Sequence, residues 1–220
     1  MLAGWRDRHR GETVWVVGSS SAWDHLDAAF FADKVTLALN WVALRYGLTG
    51  AYTVSQYWEV ERDARSAGWD GWVFAPHETS DYGQPEPAVE RHPRTVTLRL
   101  PPKNRDLEPF PQHGWPDDDS RLLWGYTTLH PALYLAWFLG ASTIVTVAAD
   151  HGVWGGKVNA DGYYPDGGQT QQNLFDMWAK RTDALAAELR RRGTNVYSLI
   201  PTVNLNLEGL SFKGPRATIG

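Results

Sequence analysis

The chain has 220 residues, enough for one substantial core, and its 43% hydrophobic and 21% charged content is that of an ordinary globular protein. It contains no Cys, which excludes a disulfide framework, a thiolate nucleophile and a Cys-based zinc site. A formal net charge of −4 excludes a global attraction to nucleic acid or to an anionic membrane.

The opening MLAGWRDRHRGE has no apolar core behind its basic residues and does not read as a signal peptide. The longest apolar run, 133–147, is interrupted by Gly140, Ser142 and Thr143, short of the roughly 18 residues that span a bilayer. These bounds predict a soluble protein with no membrane span, and the missing Cys is compatible with the cytoplasm. The basic clusters at 6–10 and 190–192 read as a solvated terminus and a solvated helix end.

In chain order, Thr13-Val-Trp-Val-Val17 is a β-branched run that ends in the small turn Gly18-Ser-Ser-Ser21. Asp24 or Ser21 is expected to cap a helix carrying Leu26, Ala29 and Phe30 at helical spacing. Residues 35–39 form a second strand stopped at Asn40, and 41–46 a short helix closed by Gly47. A third strand at 51–55 and a helix at 56–67 follow, then a strand at 72–75 closed by Pro76. Residues 77–120, rich in Pro, Asp, Glu and His, read as an irregular insertion over the site, with one strand-like stretch at 95–100.

Regular alternation then resumes. A helix at 127–139 ends at Gly140, and a buried strand at 143–147 ends in Ala-Ala-Asp150. A loop rich in Gly and Tyr leads to a long amphipathic helix at 171–192, stopped by Gly193, and to a last strand at 195–199. Alternation with short links predicts an α/β fold: a single Rossmann-like domain over 1–220, mostly parallel in its sheet, with helices on both faces.

Ligands of such sheets bind beyond the carboxyl ends of the strands, near a switch in strand order. The Gly18 turn offers N–H groups and three hydroxyls, although it is neither a G-x-G-x-x-G fingerprint nor a Walker A sequence. Asn40 ends an apolar strand, where it serves a ligand or caps the next helix. Asp150 ends the most hydrophobic strand, and His151 beside it is the best-placed acid or base, with His130 and His77 behind it. The twelve Trp supply core packing and also flat faces for bases and sugars.

The segments VWVVGSSSAWDHLD (14–27), VTLALN (35–40) and GYTTLHPALYLAWFLGASTIVTVAAD (125–150) carry a resemblance, extended by NVYSLIPTVNLNLEGLSF (195–212). Together they resemble a Rossmann-like superfamily of bacterial sialyltransferases, motility-accessory-factor glycosyltransferases and 6-hydroxymethylpterin diphosphokinase-like proteins. The resemblance implies that Gly18, Ser19 and Ser20 lie along the phosphates of a nucleotide donor. It implies that Asn40, Thr127 and Thr128 contact the donor, that Asp150 closes the matching strand, and that Tyr163 and Tyr164 bond the leaving phosphate. The turn Ser20-Ser-Ala22 replaces the family's small-Pro-Ser, and no His follows His151, so the sialyltransferases' catalytic His has no counterpart.

The leading expectation is a glycosyltransferase that uses a nucleotide-sugar and needs no metal. His151 or Asp150 would be its base, with a glycan, a protein or a modified base in DNA as acceptor. One alternative is an ATP-dependent diphosphokinase-type transferase, with Mg²⁺ held near Asp150, Asp161 and Asp166. Another is a non-catalytic nucleotide-binding or virion-associated module.

Overall fold

The structure is a computed structural model that describes residues 2–76, 92–98, 115, 123, 127–149, 151–152, 157–161, 163, 172–199 and 208–209. The expected insertion at 77–120 falls outside these residues except for 92–98 and Trp115. Asp150, Tyr164, Asp166 and His77 fall outside them as well.

Eight strands form one sheet: β1 Thr13–Val17, β2 Val35–Leu39, β3 Tyr52–Val54, β4 Val73–Pro76, β5 Thr95–Leu98, β6 Thr143–Val147, β7 Asn195–Ser198 and β8 Glu208–Gly209. Every pairing is parallel. The order β5-β4-β3-β2-β1-β6-β7-β8 makes two wings that leave β1 in opposite directions. The chain winds outward to β5, then returns to the other flank of β1 as β6. The switch in strand order therefore lies between β1 and β6, where a parallel sheet opens a crevice at its carboxyl edge.

Register places the candidate residues at that edge. Val17 is level with Ala38 on one side and with Val147 on the other, and Leu39 is level with Val54. Gly18, Asn40, Ser55 and Ala148 thus leave the sheet at one end.

Pleating divides the core in two. Val14 and Val16 of β1, with Leu37 and Ile144, enter one cluster; Val17, Ala38, Val145 and Val147 enter the other. The first face is covered by the helix α3 Leu129–Phe138, by α4 Gln172–Arg191 and by the turn Leu2–Trp5. The second is covered by two 3₁₀ turns, by the short α1 Val42–Arg45 and by residues Ala160 and Tyr163. The remaining helix, α2 Glu59–Ser66, packs by β4.

α3 is apolar all round, and nine of its ten residues are buried, as expected of a helix in the middle of a core. α4 is amphipathic. Phe175, Ala179, Thr182, Ala186 and Leu189 repeat at four- and three-residue steps, and all are buried. It stops where Gly193 adopts φ +87° and Thr194 N–H bonds back to the Leu189 carbonyl. No helix among the described residues is long and apolar enough to cross a membrane.

One expected helix is absent. Residues 21–31 form two 3₁₀ turns, Ser21–His25 and Ala28–Phe31, separated by extended backbone at Leu26. The cap of the first is Ser20, whose side chain accepts from Ala22 N–H, rather than Ser21 or Asp24. Asp27 then accepts from Ala29 N–H and starts a second turn, so a local side-chain bond takes the place of helical continuation.

Candidate functional site

The turn after β1 is built for close approach to β6. A Cβ at Gly18 would overlap the carbonyl oxygen of Ala148, so only glycine fits there. The Gly18 N–H donates to Val147 O and the Ser20 N–H to Ala148 O, so both amides are engaged within the sheet edge. The hydroxyls are engaged too: Ser19 Oγ donates to Asn159 Oδ1 at 3.0 Å, and Ser21 Oγ to the Lys157 carbonyl at 3.4 Å.

Residues 157–161 therefore lie across the serine turn. Ala160 N–H donates to Ser19 O, and Asp161 N–H to the Asp24 carboxylate. Lys157 Nζ bonds Asp161 at 2.7 and 2.8 Å. Tyr163 is buried in the second core cluster and stacked on Tyr46. Its ring packs on the core side of this segment.

Asn40 sits differently. Its φ is +53°, the left-handed conformation that Asn adopts more readily than most side chains, and its N–H donates to Val54 O. Two hydroxyls converge on its Oδ1: Ser55 Oγ at 3.0 Å and Thr128 Oγ1 at 3.1 Å. Ser55 Oγ also accepts the Tyr57 N–H, which directs the serine proton towards Asn40. The amide orientation is thereby set, with oxygen on the two hydroxyls and Nδ2 on the other side. Among the described residues Nδ2 makes no hydrogen bond. Trp41, the next residue in the chain, stacks on Tyr57, with centroids 5.9 Å apart and planes 22° apart, and its Nε1–H donates to Asp63.

Thr128 and Thr127 open α3. Thr127 Oγ1 accepts the Leu129 N–H at 2.9 Å, filling one of the orphan donors of that helix end. One residue further on, His130 is fully buried, and its Nε2 lies 3.0 Å from Thr182 Oγ1 on α4. His151, with φ +46°, places its own Nε2 3.0 Å from the same oxygen. Trp178 meets the His151 ring edge-on, and Arg181 is buried on the same helix.

Burial pushes the His130 imidazole down to about 3, with the His151 ring and Arg181 acting in the same direction and a hydrogen bond to the Trp178 backbone opposing. Burial likewise pushes His151 down to about 3. Both rings are neutral at pH 7.

The structure thus joins Asn40, Ser55 and Thr128 in one hydrogen-bonded group and His130, Thr182 and His151 in a second. Thr127 stands next to Thr128 at the start of α3, and Gly18, Ser19 and Ser20 lie under residues 157–161. Two members of these groups are not among the site residues expected from the sequence: Ser55, visible only as a polar strand end, and Thr182. A lone Thr on the buried stripe of an amphipathic helix was the available signal. Among the described residues no group of three or more His, Asp or Glu could hold a metal ion. No protein-family model matches the chain, and no curated protein or solved structure matches it either.

Proposed function

We propose that the protein is a glycosyltransferase whose nucleotide-activated sugar enters the crevice at the carboxyl edge, beside Asn40. The observation that carries this reading is the Asn40 amide. Its oxygen is held by Ser55 and Thr128, so its N–H₂ is pre-set to donate to a ligand without reorganisation. The Trp41–Tyr57 stack, one residue further along the chain, offers an aromatic face for a base or a sugar ring.

In this reading Thr127 and Thr128 line the donor, and Gly18, Ser19 and Ser20 lie along its phosphates once residues 157–161 have moved aside. The acceptor oxygen attacks the anomeric carbon while its proton passes to His151. The bond from that carbon to the phosphate oxygen breaks, and the nucleotide leaves with the electron pair. His151 starts as a neutral imidazole, able to take a proton, and the anionic phosphates of a bound donor raise its affinity for one.

A thermal-shift screen of UDP-, GDP- and CMP-sugars, with ATP alongside, tests the proposal. A ligand present at 100 times its Kd stabilises by about 2.7 kcal/mol. A shift with a sugar nucleotide supports it. A shift with ATP and Mg²⁺ alone would favour diphosphoryl transfer.

A further inference from the structure

We propose that Glu59 and Trp58, at the start of α2, form a polyol-reading subsite that binds a ring hydroxyl of the ligand and, with Asn40, a vicinal diol. The proposal deepens the glycosyltransferase reading and rests on it for the identity of the ligand.

α2 begins at the carboxyl edge of the sheet, because β3 ends at Val54 and residues 55–58 join the two. The acids of this helix have different fates. Glu61 Oε1 accepts the Thr95 hydroxyl and the His92 N–H, on the side of β5. Asp63 accepts from Trp41 Nε1–H and from the Arg62 guanidinium. Glu59 is half-buried, and its Oε2 is closed off from solvent with no donor. The N-cap residue Trp58 makes no side-chain cap, and its Nε1–H is buried without an acceptor.

Helical geometry ties Glu59 to the neighbourhood of Asn40. Glu59 and Asp63 are one turn apart on one face of α2, and Asp63 holds Trp41, the residue after Asn40. The amino-terminal end of that face points to the carboxyl edge, where Ser55 Oγ donates to Asn40 Oδ1. With that oxygen taken by Ser55 and Thr128, Asn40 offers only its N–H₂.

The groups left to be matched are two N–H donors and one carboxylate. A hydroxyl matches both kinds at once, because its oxygen accepts an N–H while its own proton goes to the carboxylate. A diphosphate bridge cannot: it offers acceptors only, and its charge repels the carboxylate. Glu59 therefore assigns the hydroxylated ring to the β3 side of the crevice and leaves the phosphates to the Gly18 turn after β1. Burying a carboxylate oxygen without a donor is costly, and a ligand hydroxyl relieves that cost. The last torsion of a Glu side chain is soft, so the oxygen turns to the ligand while α2 stays in place.

The test is equilibrium binding to the full-length protein with UDP-glucose, GDP-mannose and ATP, beside their deoxyribose forms and the deoxysugar forms of the two sugar nucleotides. Wild type should bind a hydroxylated probe about 10- to 100-fold more tightly than its deoxy form, the range for a hydrogen bond to a charged group. Glu59→Ala should erase that preference. Glu59→Gln keeps the side-chain shape, should lower the preference several-fold, and stands in should the alanine fail to fold. ¹H–¹⁵N spectra add a readout without turnover. The Trp58 indole N–H, assigned by its loss in Trp58→Phe, should move downfield when the probe binds. A preference confined to the ribose places the nucleoside at Glu59, and one confined to the sugar places the donor sugar there. A preference that persists in both Glu59 variants, an unmoved Trp58 signal under a bound probe, or no binding of any probe overturns the proposal. Binding of ATP alone, with a ribose preference that Glu59→Ala erases, upholds the subsite and overturns the glycosyltransferase reading. Sugar-nucleotide binding that neither Glu59 variant alters overturns the subsite alone.

Discussion

Gly18 and Ala148 leave neighbouring parallel strands so close together that a side chain at 18 would occupy the position of the Ala148 carbonyl oxygen. That contact closes the floor of the crevice at the switch in strand order. Gly18→Ala must push backbone against backbone, because no flexible side chain is there to yield. The expected cost is about 1–3 kcal/mol in a urea-melt comparison, the usual range for overpacking. An unchanged midpoint would mean that the two turns are not in contact.

The histidine pair makes stability depend on pH. In the unfolded chain both rings titrate near 6.5, and in the folded protein both lie at about 3. Between those values the unfolded chain binds more protons, so unfolding free energy rises with pH. The contribution is fully present above about pH 6.5 and is lost as pH falls towards 3. Each ring adds a slope of at most about 1.4 kcal/mol per pH unit. Urea melts at pH 7.5 and 5.0 should show the loss, and His151→Gln should flatten it. An equal slope in that variant would contradict the burial of the ring.

Tyr163 packs as a core residue, stacked on Tyr46 within the second cluster. Tyr163→Ala should therefore cost about 3–5 kcal/mol, the range for removing a large buried aromatic side chain. Chemical denaturation measures it. A loss below about 1 kcal/mol would place the ring outside the core.

Much of the sheet was legible in the sequence because parallel strands buried on both faces are short β-branched runs, and Thr13–Val17, Val35–Leu39 and Thr143–Val147 are plain examples. Their polar or small endings pointed to Gly18 and Asn40 for the same reason. The use made of each ending was less legible. Gly18 reads as a phosphate turn by composition, yet its missing side chain serves contact with Ala148. Asn40 reads equally as a cap, and only its hydroxyl partners, Ser55 just after β3 and Thr128 just before α3, show that its oxygen is engaged. Ser55 and Thr128 lie 15 and 88 residues from Asn40 in the chain, distances at which local pattern carries no signal. Leu26, Ala29 and Phe30 have helical spacing, but Asp27 restarts the turn with its own side chain.

Calorimetry on Asn40→Gly tests most directly the proposal that the Asn40 amide binds a nucleotide-activated sugar. Glycine keeps the left-handed backbone at φ +53° without strain, so only the amide is removed. Wild-type protein should bind one of the UDP-, GDP- or CMP-sugars, and the variant should remain folded and bind it about 1–3 kcal/mol more weakly. Equal affinity in the folded variant, or no binding of any sugar nucleotide to wild type, would contradict the proposed function.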